Sequence, residues 1–291
     1  MSKDFTGRVA IVTGAGAGLG RSHARALAAE GARVALFDLS APQTVADEIR
    51  AAGGEALAIA CDVADMAAVE RGVAQVMDAW GRVDVLVNNA GILRDKTFVK
   101  LAPSDFALVL AVHLTGSFNC TRAVWEIMRA QGYGRVVLTS SASGIYGNFG
   151  QSNYGAAKAA MIGLMNVLHL EGAKYDIRVN TLAPTAATGM TEGLISAEEA
   201  ALLAPETVSP GVLYLTHEDA PSRMILGAGA GVFAVTHITE TEGAWLPPEQ
   251  RTARGIAAAM DRIADRTGEA THDSALEQTR KFVRIARQAG A

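Results

Sequence analysis

Tyr154 and Lys158 are the residues whose types and spacing point most directly to chemistry. They lie four apart in Ser152-Asn-Tyr-Gly-Ala-Ala-Lys158, a stretch of helical composition, so a phenol and an amine share one helical face. A phenol with a pKa of about 10 exchanges protons poorly at pH 7, but an ammonium one turn away favours the phenolate and brings that pKa down. The tyrosine then becomes a general acid and base. Ser141, at the end of the apolar run Arg135 to Thr139, can give a carbonyl or hydroxyl oxygen its second hydrogen bond. Tyr-x-x-x-Lys alone is a weak pattern, and its meaning depends on the elements that place it.

Those elements alternate. Arg8 to Thr13 reads as a strand, Gly14-Ala-Gly-Ala-Gly-Leu-Gly20 as a glycine-rich turn, and Arg21 to Glu30 as a helix that Gly31 stops. Gly14, Gly18, Leu19 and Gly20 are candidates to hold a diphosphate: glycines let the backbone approach, and the first helical N–H groups point at it. A second strand, Arg33 to Phe37, ends at Asp38, near the spacing of about 20 residues at which a ribose-binding carboxylate is expected. Asp38 accepts from ribose hydroxyls and repels a 2′-phosphate, so NAD is expected over NADP.

Further along, the pattern predicts a helix over Thr44 to Ala52, a strand Ala56 to Ala60 leading to Asp62-Val63, a helix Met66 to Trp80 and a strand Val83 to Val87. This order implies a Rossmann-type doubly wound parallel sheet of the α/β class. Ligands of such sheets bind beyond the carboxyl ends of the strands, where Gly14, Asp38, Asp62 and the run Asn88-Asn89-Ala90-Gly91 all fall. Ser104 to Ala130 reads as one long helix capped by Ser104 and containing His113. The Gly- and Ser-rich segment after Thr139 reads as a loop, and a second long helix ends near Ala173. Both long helices are apolar on more than one face, which predicts a homodimer or homotetramer. Asp176 to Leu182 reads as a strand, Gly189 to Pro210 as a weakly patterned loop, and Gly229 to Ile238 as a final strand. The expected boundaries are a nucleotide-binding domain over 1–238 and a helical C-terminal extension over 239–291.

With a net charge of −4 and a pI near 5.9, a nucleic-acid surface is not expected. An anionic ligand would need a local basic cluster, and Arg94, Lys96 and Lys100 supply one next to Gly91. Cys61 and Cys120 lack metal spacing and suit a reducing compartment, so neither a metal nor a disulfide is expected. No run is long and apolar enough to span a membrane, and the N-terminus has no apolar leader core, so a cytoplasmic location is expected.

Taken together, Thr13-Gly14-x-x-x-Gly18-x-Gly20, Asp62, Asn88-Asn89-Ala90-Gly91, Ser141 and Tyr154-x-x-x-Lys158 resemble the short-chain dehydrogenase/reductase family over Arg8 to Ile238. The resemblance implies Ser141 as oxygen anchor, Tyr154 as acid and base, and Lys158 as ribose ligand and phenolate stabiliser. It also implies Asp62 and Val63 beside the adenine, Asn89, Ala90 and Gly91 beside the nucleotide, and Pro184 and Thr188 near the nicotinamide. There are two departures. His113 stands where the family commonly has Asn in a water relay to the lysine, and an imidazole there would add a titration near 6.5. Thr185 stands where the family usually has Gly. Gly91 to Phe98, Val112 to Phe118 and Ser140 to Gln151 resemble the (3R)-hydroxyacyl-CoA dehydrogenase branch, which implies oxidation of a (3R)-hydroxyacyl-CoA. Hydroxysteroids or other bulky alicyclic alcohols are the alternative substrates, and a non-catalytic nucleotide sensor the alternative class.

Overall fold

The computed structural model describes residues 4–187 and 196–290. Among them, β1 (Val9–Thr13), β2 (Arg33–Asp38), β3 (Glu55–Ala60), β4 (Val85–Asn88), β5 (Gly134–Thr139), β6 (Ile177–Pro184), β7 (Ile225–Gly229) and β8 (Val232–Thr236) form one sheet in the order β3-β2-β1-β4-β5-β6-β7-β8. The ladders from β1 to β7 are parallel. Period-2 geometry sends alternate side chains to opposite faces, and the two hydrophobic cores divide accordingly. Val9, Ile11, Ala35, Phe37, Val136 and Leu138 lie in one core, and Ala10, Val12, Val34, Leu36 and Val137 in the other.

The connecting helices are α1 (Gly18–Ala29), α2 (Gln43–Ala51), α3 (Met66–Trp80), α4 (Pro103–Leu110), α5 (Gly116–Gln131), α6 (Ala142–Tyr146), α7 (Ser152–Gly172), α8 (Ala197–Leu202) and α9 (Ser209–Thr216). The strand order reverses between β1 and β4, so a crevice opens at their carboxyl ends, and both the glycine-rich turn and Asn89 to Gly91 border it.

Several expectations are corrected. Ser104 is not a cap: Pro103 occupies the first helical turn, where its missing N–H costs nothing. The long helix predicted over 104–130 is interrupted by a π-helical turn at Ala111–Thr115, which contains His113. The Gly- and Ser-rich loop contains α6, capped by the Ser141 side chain accepting from the Ser143 amide. Gly144 allows α6 to lie on α7, because a β-carbon there would sit 2.6 Å from the Lys158 carbonyl carbon. The weakly patterned segment Gly189 to Pro210 contains α8, closed by a Ser196/Glu199 capping box, and the start of α9. The last apolar run, Gly229 to Ile238, contains β8, and an unpredicted strand, β7, precedes it, with Ala230 and Gly231 turning at positive φ between the two.

Internal contacts divide the chain after Val235. The second unit, from Thr236, contains α10 (Ala253–Ala258), α11 (Met260–Ile263) and α12 (Ala275–Gln288), with an antiparallel bridge between Glu240 and Ala270. Its buried Lys281 ammonium donates to the Glu240 carboxylate and the Thr241 carbonyl.

Candidate active site

The crevice is built from close backbone approaches. Gly14 has φ +63° and lies against Ala90: a β-carbon on it would be 2.8 Å from the Ala90 Cα. One on Gly16 would be 2.9 Å from Asp38 Oδ2, and one on Gly20 only 2.0 Å from the Gly14 carbonyl oxygen. Helix α1 begins at Gly18 without a side-chain cap, so the amides of Gly18, Leu19 and Gly20 form an open donor set at the positive end of the helix. Asp38 is fixed by two backbone donors, Gly16 N to Oδ2 and Leu39 N to Oδ1, both at 2.8 Å, and each oxygen keeps a further lone pair. The glycine cradle and the carboxylate at its rim fit a dinucleotide.

Thr13 ties this wall to the next. Its hydroxyl accepts from the amides of Asn89 (2.9 Å) and Ala90 (3.0 Å), while Asn89 Nδ2 donates back to the Thr13 carbonyl at 3.0 Å. Asp62 Oδ1 accepts from the Ala64 amide at 2.9 Å, and the Val63 carbonyl accepts from buried Asn119 at 2.9 Å. Thr13, Gly16 and Asn119 were not among the predicted site residues. Gly16 was legible in the glycine run; Asn119 is a helical polar residue whose burial no local pattern reveals.

The catalytic candidates converge from β5, α6 and α7. Lys158 is buried and donates from Nζ to the Thr139 carbonyl at 2.7 Å, and the Ser140 hydroxyl holds the Lys158 carbonyl at 2.8 Å. Burial alone lowers the Lys158 ammonium to about 7. The expectation that Lys158 would draw the Tyr154 phenol down is corrected, because burial is the largest influence and raises the phenol, opposed by a hydrogen bond with Ser141. The ammonium lies 5.6 Å from the Tyr154 ring centre.

His113 is brought to this site. Its ring meets the Tyr154 ring edge-on, with centroids 5.3 Å apart, and its Nε2 faces the Ile92 carbonyl (2.8 Å) and amide (3.0 Å). Gly91 is required beneath it, since a β-carbon there would be 2.3 Å from His113 Cε1. The expected titration near 6.5 is corrected. Burial, with the Lys158 charge second, lowers His113 to about 3, so the ring is neutral at physiological pH; its buried Nδ1 has no hydrogen-bond partner among the described residues.

His23, buried against Ser209 at 2.9 Å, is likewise lowered to about 3 by desolvation. A histidine depressed in the fold supplies stability above its unfolded value of about 6.5 and loses it as pH falls toward 3. Urea unfolding at pH 5 should therefore show a lower midpoint than at pH 7.5, with each histidine costing up to about 2 kcal/mol. His113→Asn should recover part of that loss, and identical midpoints for the variant and the parent across this range would contradict a neutral buried His113.

Arg94 is less available than its sequence position suggests, donating to the Leu93 carbonyl and facing Asp105 at 3.8 Å. Pro184 ends β6, and the Thr185 amide donates to the Ala228 carbonyl at 2.8 Å. Thr185 is accommodated by Gly229, whose missing β-carbon would lie 2.7 Å from the Thr185 carbonyl oxygen. Thr188 lies outside the described residues. Cys61 and Cys120 are buried free thiols, and burial raises Cys61 to about 11. Among the described residues no group of His, Cys, Asp or Glu is placed to hold a metal, and no helix is long and apolar enough to cross a membrane.

A phenol, an amine and a hydroxyl at the mouth of a dinucleotide crevice define an oxidoreductase site for CH–OH groups, and residues 8–199 match the short chain dehydrogenase family. The chain belongs to that family, which uses NAD(P). It is 46% identical over 256 residues to peroxisomal multifunctional enzyme type 2 of Drosophila melanogaster, covering 84% of this chain and 42% of that protein. It is also 44% identical over 279 residues to a short-chain type dehydrogenase/reductase of Mycobacterium tuberculosis, covering 90% and 95% of the two chains. The solved structure of the full-length Drosophila enzyme is similar with a TM-score of 0.84 at 38% identity, over 98% of this chain and 50% of that one. The chain thus spans only about two fifths of the multifunctional enzymes it resembles, 42% of the fly protein and 40% of the mouse one.

Proposed function

We propose that the protein oxidises the 3-hydroxyl of (3R)-hydroxyacyl-CoA to a ketone with NAD. The observation that carries this reading is the convergence of Ser141, Tyr154 and Lys158 beside a crevice whose rim bears the fixed carboxylate of Asp38. Gly14, Gly18, Leu19 and Gly20 would hold the diphosphate, Asp38 the adenosine ribose, Asp62 and Val63 the adenine, and Asn89, Ala90, Gly91, Pro184 and Thr188 the remainder. When bound, the dinucleotide supplies the hydride acceptor. Ser141 Oγ donates to the substrate oxygen and holds it near Tyr154, whose Oη takes the hydroxyl proton. Lys158, anchored on Thr139, stabilises the phenolate that must form. Likeness to the multifunctional enzymes supports the substrate class.

The test is a screen of (3R)- and (3S)-hydroxyacyl-CoAs beside steroid alcohols with NAD and NADP, ranked by kcat/KM. The expected result is a (3R)-thioester first. A steroid alcohol ahead of every thioester would give the alternative, and no turnover of any alcohol would leave a nucleotide sensor. NAD should be preferred by at least about tenfold, and Asp38→Ala should narrow that gap by costing about 1.5–3 kcal/mol with NAD. Equal use of both cofactors by the unmodified protein would refute the role of Asp38.

A cytoplasmic location belongs to the same reading, supported by the two free thiols. So does a homodimer or homotetramer, supported by the exposed side chains of Leu108, Phe118, Val167 and Leu170 on α4, α5 and α7; light scattering of the purified protein reads it directly.

A further inference from the structure

Asp95, in the loop between β4 and α4, is an exposed carboxylate whose hydrogen-bond partner among the described residues is the side-chain amide of Gln151 (Nε2 to Oδ2, 2.7 Å). The orientation of that amide is fixed from its other side. Gln151 Oε1 accepts from Ser143 Oγ at 2.7 Å and from Asn148 Nδ2 at 3.1 Å, so its nitrogen is the atom left to face Asp95. Arg94, next in the chain, is turned to the Leu93 carbonyl and to Asp105, and among the described residues no cation lies within ion-pair distance of Asp95.

The same loop is tied to the start of the helix that carries Tyr154. Lys96 N donates to the Gly150 carbonyl at 3.0 Å, and Asn153 Nδ2 donates to the Arg94 carbonyl at 2.9 Å, while Asn153 Oδ1 accepts from the Tyr154 amide at 2.8 Å. The far end of the brace reaches a second group of the site: Ser143, which holds Gln151, donates its amide to Ser141 Oγ at 3.2 Å. Among the described residues, the polar and titratable groups that face Tyr154 are Ser141 at the head of α6, Lys158 one turn along α7, the neutral His113 on the π-helical turn, and Asp95. Burial raises the phenol most, Ser141 opposes that rise, and the Asp95 charge adds to it. Asp95 is thus an anion acting on a group that must itself become an anion during turnover.

We propose that Asp95 is a positioning residue for the proton transfer: held in place by Gln151, its negative charge keeps Tyr154 a phenol and so sets the pH at which the site turns from giving the proton to taking it. This rests on Tyr154 being the acid and base of the reaction, and not on the identity of the alcohol. Carboxylate and phenolate are like charges, and their repulsion is stronger beside a buried ring than it would be in bulk water.

The experiment compares pH profiles of kcat/KM for the full chain and its Asp95→Asn and Asp95→Glu variants, at low and high salt and with saturating dinucleotide. Oxidation is followed with (3R)-hydroxybutyryl-CoA and NAD, or with a steroid alcohol if that is what turns over, and reduction with the matching ketone and NADH. Asp95→Asn keeps an oxygen to accept from Gln151 and removes the charge. Oxidation needs the phenolate, so its rising limb should move to lower pH in this variant; reduction needs the phenol, so its falling limb should move to lower pH as well. On the acid side of the parent midpoint the variant, scaled to its own plateau, should oxidise roughly two- to fourfold faster than the parent. Asp95→Glu keeps the charge and should keep the parent midpoints. High salt should move the parent toward the Asp95→Asn profile, since an exposed charge is screened over about 8–10 Å. A merely structural brace would lower kcat/KM at every pH and leave both midpoints in place; that result, or a shift to higher pH, overturns the proposal while leaving Tyr154 as the base. If Tyr154→Phe keeps more than about a tenth of kcat, or if no alcohol is oxidised, the reading of the site fails and the proposal falls with it.

Discussion

Tyr154→Phe should abolish turnover while leaving dinucleotide affinity within about twofold, a loss in kcat of at least about 10²–10⁴. The substitution removes one oxygen and little else. The ring keeps its edge-on contact with His113 at 5.3 Å and its place 5.6 Å from the Lys158 ammonium, so the walls of the crevice do not move. The Phe variant has no group at that position able to take the hydroxyl proton, and Ser141 is left to hold an oxygen with no base beside it. Because burial raises this phenol, the native enzyme must offset that cost through Ser141, Lys158 and the bound dinucleotide, and the variant has nothing for them to act on. Single-turnover rates with either variant-bound cofactor form are the cleanest readout, together with NADH fluorescence titration for affinity. A variant keeping more than about a tenth of native kcat would remove Tyr154 from the chemistry.

Gly20→Ala should weaken dinucleotide binding and lower kcat/KM by about 10²-fold, since a misplacement of about 1 Å in a positioning element can cost about that much in rate. Its β-carbon would lie 2.0 Å from the Gly14 carbonyl oxygen and 2.7 Å from Asn89 Nδ2. Neither neighbour is a flexible tip: one is backbone, and the other is held by hydrogen bonds to the Thr13 and Gly14 carbonyls. The first turn of α1 must therefore move away from the strand end, taking its open amides with it. Gly163→Ala on α7, where nothing lies within 4 Å of the new carbon, is the matched control and should bind normally. If both variants bind NADH with native affinity and melt alike, the cradle is looser than its contacts indicate.

How much of this was legible in the sequence depends on whether the signal was local. The alternation of Val9, Ile11 and Val12 around small residues, the glycine run, and Asp38 at a strand end are local, and they place the crevice correctly. Tyr154 and Lys158 needed only helical spacing. The glycine at 144 reads as part of a loop because its reason for being there is the Lys158 backbone, which is distant in the chain. β7 is missed because it lies before the run read as the final strand, and the two-residue turn Ala230-Gly231, both residues at positive φ, falls at the start of that run. The two pKa expectations failed for a common reason: spacing reveals charged neighbours but not desolvation, and at Tyr154, Lys158 and His113 desolvation is the largest influence.

The π-helical turn at Ala111–Thr115 accounts for one more feature. An α-helix repeats every 3.6 residues, so a side chain at every fourth position drifts steadily around the axis. Val109, His113, Ser117 and Thr121 are nevertheless all buried at successive intervals of four. A wider turn carries one additional residue and resets the phase of the helix, so the stripe before it and the stripe after it fall on the same side. The segment therefore looks apolar all round when read with a single period, although it has two ordinary faces joined by a phase slip. Deleting one residue of the slip before His113 would regularise the helix and rotate His113 by about 100°, out of its edge-on contact with Tyr154. The irregularity is thus what lets one continuous rod serve both the sheet and Tyr154.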